Sequence, residues 1–180
     1  MQESTKLYDL LESVMSEVGE TTAEPYPTRR SPHPWDRKSV QYLWSSEGNV
    51  PYIMYIFKGK NDTENSGESD ETYAYMVTFG VQTEKGVDYD VTNKTGQTGN
   101  MWRTMATVVK SIKDEIKLDE ESGVSVTTIA MSPTKREEGD ERRTKLYTNY
   151  IRKNIPDSKI EYDDDLLKVR MPVKKQTQDE

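Results

Sequence analysis

The chain of 180 residues contains no cysteine and a single histidine, His33. The first absence excludes disulfides, thiolate chemistry and cysteine-ligated zinc. The second excludes a histidine-based triad and a multi-histidine metal site, and His33, standing between Pro32 and Pro34, reads as a loop residue. Phenylalanine is scarce too: there are two, against eleven tyrosines and three tryptophans. The aromatic surface therefore carries polar tips, which suit half-exposed faces and interfaces. No run approaches the roughly 20 apolar residues of a membrane span. Residues 1–19 read as an acidic amphipathic segment, unlike the basic start and apolar middle of a signal peptide. A soluble, cytosolic protein without a membrane partner is expected.

Lys+Arg total 25 against Asp+Glu 32, a formal charge of -7. That balance disfavours direct nucleic-acid binding, because a phosphate-tracking surface needs clustered cations that outweigh the carboxylates. Hydrophobic residues make up only 32% of the chain, with a mean hydropathy of -0.94. A length of one ordinary domain still allows a core, so long solvated segments must accompany it.

Leu7, Leu10, Leu11, Val14, Met15 and Val18 recur at the spacing of one helical face and predict a helix ending at Gly19. From Glu20 to Arg37, four prolines with Arg29 and Arg30 among them favour an extended connection over a regular element. Val40 to Trp44, the turn Glu47-Gly48-Asn49 and Tyr52 to Phe57 read as a hairpin; Gly59 to Glu71 reads as a mobile acidic tip. Tyr73 to Phe79 and Val87 to Val91 supply two further strands around a turn at Gln82 to Gly86. A glycine-containing loop then feeds a second helix with Met101, Met105, Val108, Val109, Ile112 and Ile116 on one face. Val124 to Met131 is a β-branched strand, a third helix carries Leu146, Tyr147, Tyr150 and Ile151, and Ile160 to Val173 forms a last hairpin about Asp163-Asp164-Asp165. The expected fold is α/β (α+β): a mixed, mostly antiparallel sheet flanked by helices, in the order α-β-β-β-β-α-β-α-β-β. The expected division is a helix over 1–19, a proline-rich connection over 20–37, one domain over 38–173 and an unpacked tail over 174–180.

Three features could carry chemistry or recognition. Gly96, Gln97, Thr98, Gly99 and Asn100 lie between a strand end and a helix start, where backbone amides and the helix dipole favour an anion. The alternative is a tight turn capped by Asn100 or Thr98. Tyr147 can donate a proton or simply pack with its hydroxyl bonded. The aromatic strand face is a candidate binding surface, unless Trp44, Tyr52, Tyr55 and Tyr75 pack beneath the first helix and the proline-rich segment. The carboxylate groups Asp88 with Asp90, and Asp163 to Asp165, lack calcium-loop spacing, so no metal is expected.

The stretch Asp90-Val91-Thr92-Asn93 with Thr95-Gly96, then Ala106-Thr107-Val108-Val109, the strand Val126 to Ser132 and Arg143-Thr144-Lys145-Leu146-Tyr147 resembles small tailed-bacteriophage proteins of the GNAT (N-acetyltransferase-like) superfamily. The resemblance covers most of Val40 to Met171. It implies that Gly96 to Asn100 would face a coenzyme A pyrophosphate and that Tyr147 would protonate a departing thiolate. The superfamily's enzymes usually carry Arg or Gln three residues before the loop's first glycine, and this chain has neither there. The resemblance therefore implies foremost a phage-encoded accessory protein, degenerate in its acetyltransferase-like fold, that binds a protein partner in the virion or the host cytoplasm and needs no cofactor. An acetyl-coenzyme-A-dependent N-acetyltransferase is the alternative. A second alternative is an acidic decoy that uses Asp62 to Glu71 to occupy the groove of a nucleic-acid-binding host protein.

Overall fold

The computed structural model describes residues 23–60, 72–89, 100–132, 142–163 and 166–172. The helix expected over 7–18, most of the acidic tip, the loop 93–99 and the tail lie outside these residues. Eight strands and two helices follow in chain order: β1 (Arg29–Pro32), β2 (Val40–Ser45), β3 (Pro51–Lys60), β4 (Thr72–Thr83), β5 (Gly86–Asp88), α1 (Met101–Glu121), β6 (Ser125–Met131), α2 (Arg142–Asn154), β7 (Lys159–Asp163) and β8 (Leu166–Arg170). They form one open sheet in the order β1-β2-β3-β4-β6-β8-β7, with β5 added to β4. Among the described strands only β4 and β6 run parallel, joined by the α1 crossover. The architecture is α+β with a mixed, mostly antiparallel sheet.

Local chemistry accounts for the elements. Gly48 and Asn49 both adopt positive φ, which turns β2 tightly into β3. Asn100 caps α1, its side-chain oxygen accepting from the amides of Trp102 (3.0 Å) and Arg103 (3.3 Å). The predicted stripe on α1 is buried: Met105, Val108, Val109, Ile112 and Ile116 are all in the interior. They meet Tyr42, Trp44, Tyr52, Met54, Ile56, Tyr75 and Val77 of the sheet.

Three expectations change. The proline-rich segment is not wholly irregular, because Arg29 to Pro32 pairs with Val40 to Leu43 as an edge strand. Proline is tolerated there since an edge need not donate on both sides. Gly59 and Lys60 belong to β3, paired with Ala74 and Tyr73, and not to the acidic tip. Gln82 and Thr83 still pair with Val87 and Gly86, so the turn narrows to Glu84 and Lys85.

Both helices cover the same face. Alternation along the strands places Tyr42, Lys58, Tyr75 and Phe79 on one side. The first three of these reach α1 and Phe79 meets Tyr147 of α2. Trp44, Tyr52 and Tyr75 thus pack beneath α1, whereas Tyr55 points to the opposite face. Gly80 is required by close approach: a Cβ there would stand 2.6 Å from the Asp88 carbonyl oxygen and 2.9 Å from Val87 Cγ1. Gly80→Ala should displace β5 and cost about 1–3 kcal/mol, read from urea unfolding; an unchanged midpoint would show that β5 gives way freely.

Candidate functional site: an aromatic face beside a buried ion network

The central electrostatic feature is Glu115, a carboxylate in the buried stripe of α1 with no solvent exposure. Four donors reach it: Arg30 Nε at 2.7 Å, Arg30 Nη2 at 2.8 Å, Tyr42 Oη at 2.8 Å and Lys58 Nζ at 2.6 Å. Lys58 also donates to Asp119 at 2.7 Å, and Tyr75 donates to the other oxygen of Asp119. Burial acts to raise the Glu115 carboxyl, but the hydrogen bonds from Arg30, Lys58 and Tyr42 outweigh it and hold it at about 2, against an ordinary 4.5. Burial and the bond to Glu115 push Tyr42 upward, and burial with the bond to Asp119 does the same for Tyr75. Both phenols therefore stay neutral donors.

Arg30 belongs to β1, so this network ties the edge strand to the central helix. The segment after β1 forms a closed loop. His33 N–H donates to Ser39 C=O (2.9 Å), Lys38 N–H to Asp36 Oδ1 (3.1 Å), and Ser39 Oγ to the other oxygen of Asp36. Those bonds, the Ser39 hydroxyl first, hold the Asp36 carboxyl below its usual range. Lys58 N–H of β3 donates in turn to Ser39 Oγ (3.1 Å), seating the loop against the sheet.

The loop carries His33 into the middle of an aromatic cluster on the face that the described helices leave open. Its ring centroid lies 5.8 Å from Trp35, 5.3 Å from Tyr55 and 5.2 Å from Phe57, all edge-on or tilted. Trp35 N–H donates to His33 Nδ1 at 3.3 Å, which puts the proton of the neutral ring on Nε2. Trp35 is 90% exposed, and Phe57 and its cross-strand neighbour Met76 are 36% and 37% exposed. Exposed Arg37 and Lys38 lie on the same loop and exposed Arg29 on β1, and none of the three has an ion-pair partner among the described residues. Exposed aromatic rings, tryptophan above all, are among the side chains that dominate protein-interface energetics. His33 is a loop residue, as expected, and stands at the hub of these ring contacts.

Of the residues singled out for acetyl transfer, Gly96, Gln97, Thr98 and Gly99 lie outside the described residues. Asn100 is the helix cap, and its N–H donates to Glu47 Oε2 at 3.1 Å. Glu47 also pairs with Arg103 at 3.0 Å. Tyr147 is buried, with its ring 5.8 Å from Phe79. The β4–β6 pairing stops beside it at Val77 and Met131, and beyond that point β4 pairs with β5. Thr104, in the first turn of α1, has a fully buried hydroxyl without a hydrogen-bond partner among the described residues. Among the described residues no group of three metal-binding side chains occurs, and no helix is long and apolar enough to cross a membrane. No family model, curated protein or solved structure matches the chain.

The ion network escaped the sequence reading, although a signal was present. Lys58 continues the inward alternation Tyr52, Met54, Ile56, and Glu115 and Asp119 stand four apart beside the apolar stripe of α1. Because Glu115 is held below its unfolded value, its contribution is complete above pH about 4.5 and disappears as pH falls toward about 2. Glu115→Gln should cost about 3–5 kcal/mol, because Arg30 loses its carboxylate and buried Lys58 keeps only Asp119. It should also flatten the acid limb of stability measured by urea titration at several pH values; an acid limb identical to wild type would assign that limb to other carboxylates.

Proposed function

We propose that the chain is a bacteriophage-encoded accessory protein with a degenerate acetyltransferase-like fold, which acts by binding a protein partner in the virion or in the host cytoplasm. The observation that carries this reading is Trp35, 90% exposed on a loop seated against the sheet and edge-on to His33, whose ring also meets Tyr55 and Phe57. An exposed indole on a pre-ordered loop loses little entropy on docking. The cations Arg29, Arg37 and Lys38 complement an acidic rim on the partner. The GNAT-like part of the reading is supported by one parallel strand pair, β4 and β6, inside an otherwise antiparallel sheet, with an N-capped helix as its crossover.

Capture of the partner on immobilised protein, followed by titration of the two purified components, tests the reading. Trp35→Ala and Phe57→Ala should each weaken the complex by about 2 kcal/mol or more, the scale of an interface anchor, with melting curves unchanged for Trp35→Ala. Equal affinity for wild type and both variants would remove the aromatic face from the interface.

A second reading, an acetyl-coenzyme-A-dependent N-acetyltransferase, is favoured by the end of the β4–β6 pairing next to Tyr147 and by the unpartnered Thr104 hydroxyl. Here Tyr147 would be the acid and Gly96 to Asn100 the pyrophosphate loop. Calorimetric titration with coenzyme A and acetyl-coenzyme A discriminates between the readings. The binding-protein reading expects no heat at millimolar ligand, whereas micromolar binding abolished by Gly99→Trp would establish the enzyme.

A further inference from the structure

The sheet has two outer strands among the described residues, β1 and β7, and they differ as edges. β1 has four residues and ends at Pro32, which lacks an N–H to offer a further strand. β7 is a five-residue strand, Lys-Ile-Glu-Tyr-Asp, free of proline and hydrogen-bonded to β8 on one side. An exposed edge of this sort presents a row of backbone donors and acceptors to any strand of matching register. Natural edges are commonly blunted by charge, and β7 carries three charges in five positions. Their order, however, is self-complementary.

We infer that β7 pairs with β7 of a second copy, antiparallel about a two-fold axis through Glu161, so that one sheet runs through both protomers. In that register Lys159 of each protomer faces Asp163 of its partner, and Ile160 of each faces Tyr162. Opposite charges directly across an antiparallel pair attract. Ile160 and Tyr162 lie on the helix-covered face, where Ile160 packs against the core and Tyr162 is 56% exposed. Pairing would cover the tyrosine with the partner's isoleucine. The central Glu161 residues would face each other, each held by Arg170 at 3.0 Å, while Lys159 turns from its own Glu161 to the partner's Asp163, a carboxylate that also pairs with Lys168 of its own protomer. A slip of one residue would put Ile160 opposite Glu161 and turn the two faces against each other. A slip of two toward the C-terminus would set Glu161 opposite Asp163. A slip of two toward the N-terminus would set Lys159 opposite Glu161 but pair only three residues; the two-fold at Glu161 pairs all five, and an isologous contact of this kind closes as a dimer instead of growing into a fibre.

Sedimentation equilibrium of the full chain, with charge-swap variants, tests the inference. Lys159→Glu opposes two carboxylates at both ends of the interface, and Asp163→Lys opposes two ammonium groups. Each variant alone should therefore dimerise at least roughly a hundredfold more weakly than wild type. An equimolar mixture of the two restores opposite charges at both ends and should return to a dimer at the wild-type concentration. Both side chains are exposed, and circular dichroism and melting curves matching wild type will show that the fold is intact. Recovery in the mixture, absent in either variant alone, establishes the β7 pairing. A wild-type monomer up to near-millimolar concentration overturns it. So does a dimer that both single variants leave intact, or a mixture no tighter than its components.

Discussion

Glu115 is the group on which the arrangement of the molecule turns. A carboxylate removed from water loses several kcal/mol of solvation, and only a full set of donors in good geometry compensates for it. Here those donors come from three strands, Arg30 of β1, Tyr42 of β2 and Lys58 of β3, converging on one turn of α1. Hydrophobic packing alone would let α1 slide along the sheet at modest cost, since apolar contact is not directional. Four directed bonds to one residue fix the register of helix against strands.

The same network explains how an edge strand of four residues stays on the sheet. β1 brings little apolar surface, but Arg30 anchors it through two bonds to a carboxylate that no water reaches. With β1 held, the following loop is placed over β3, and its own Asp36 and Ser39 bonds close it. His33 then lands among Trp35, Tyr55 and Phe57. The open aromatic face is therefore a consequence of charge buried on the other side of the sheet. Among the described residues the helices occupy one face and the aromatic cluster the other, an arrangement that holds the cluster in place without making it part of the core.

The two edges of the sheet complete this division. Proline and shortness close one edge, while the other offers a strand whose end charges, Lys159 and Asp163, are opposite in sign and match across a two-fold. Dimerisation through β7 would place the two aromatic faces at opposite ends of an extended sheet, on protomers related by the two-fold. Such a pair can engage a repeated or symmetric partner with the gain in avidity that linked sites provide.

Alternation and helical periodicity were readable in the chain: β3 is apolar on both faces, but the inward side chains of β2 and β4, the α1 stripe from Met105 to Ile116, the Gly48-Asn49 turn and the Asn100 cap, one of two candidates with Thr98, follow from local spacing and backbone preference. So did the α+β class, because strands and helices each bury one apolar stripe. The pairing of β1 was not readable, since four residues around a proline carry no period. Nor was the function of Lys58, Glu115 and Asp119: their spacing placed them inward, but whether a buried charge is compensated depends on groups more than fifty residues away in the chain. His33 was legible only as a loop residue for the same reason. What the sequence by itself determined was which side chains turn inward along each element, a property of a few successive residues; which of them meet, and hence the ion network and the aromatic hub, was decided by tertiary structure, because those contacts join strands and a helix that only the complete sheet brings together.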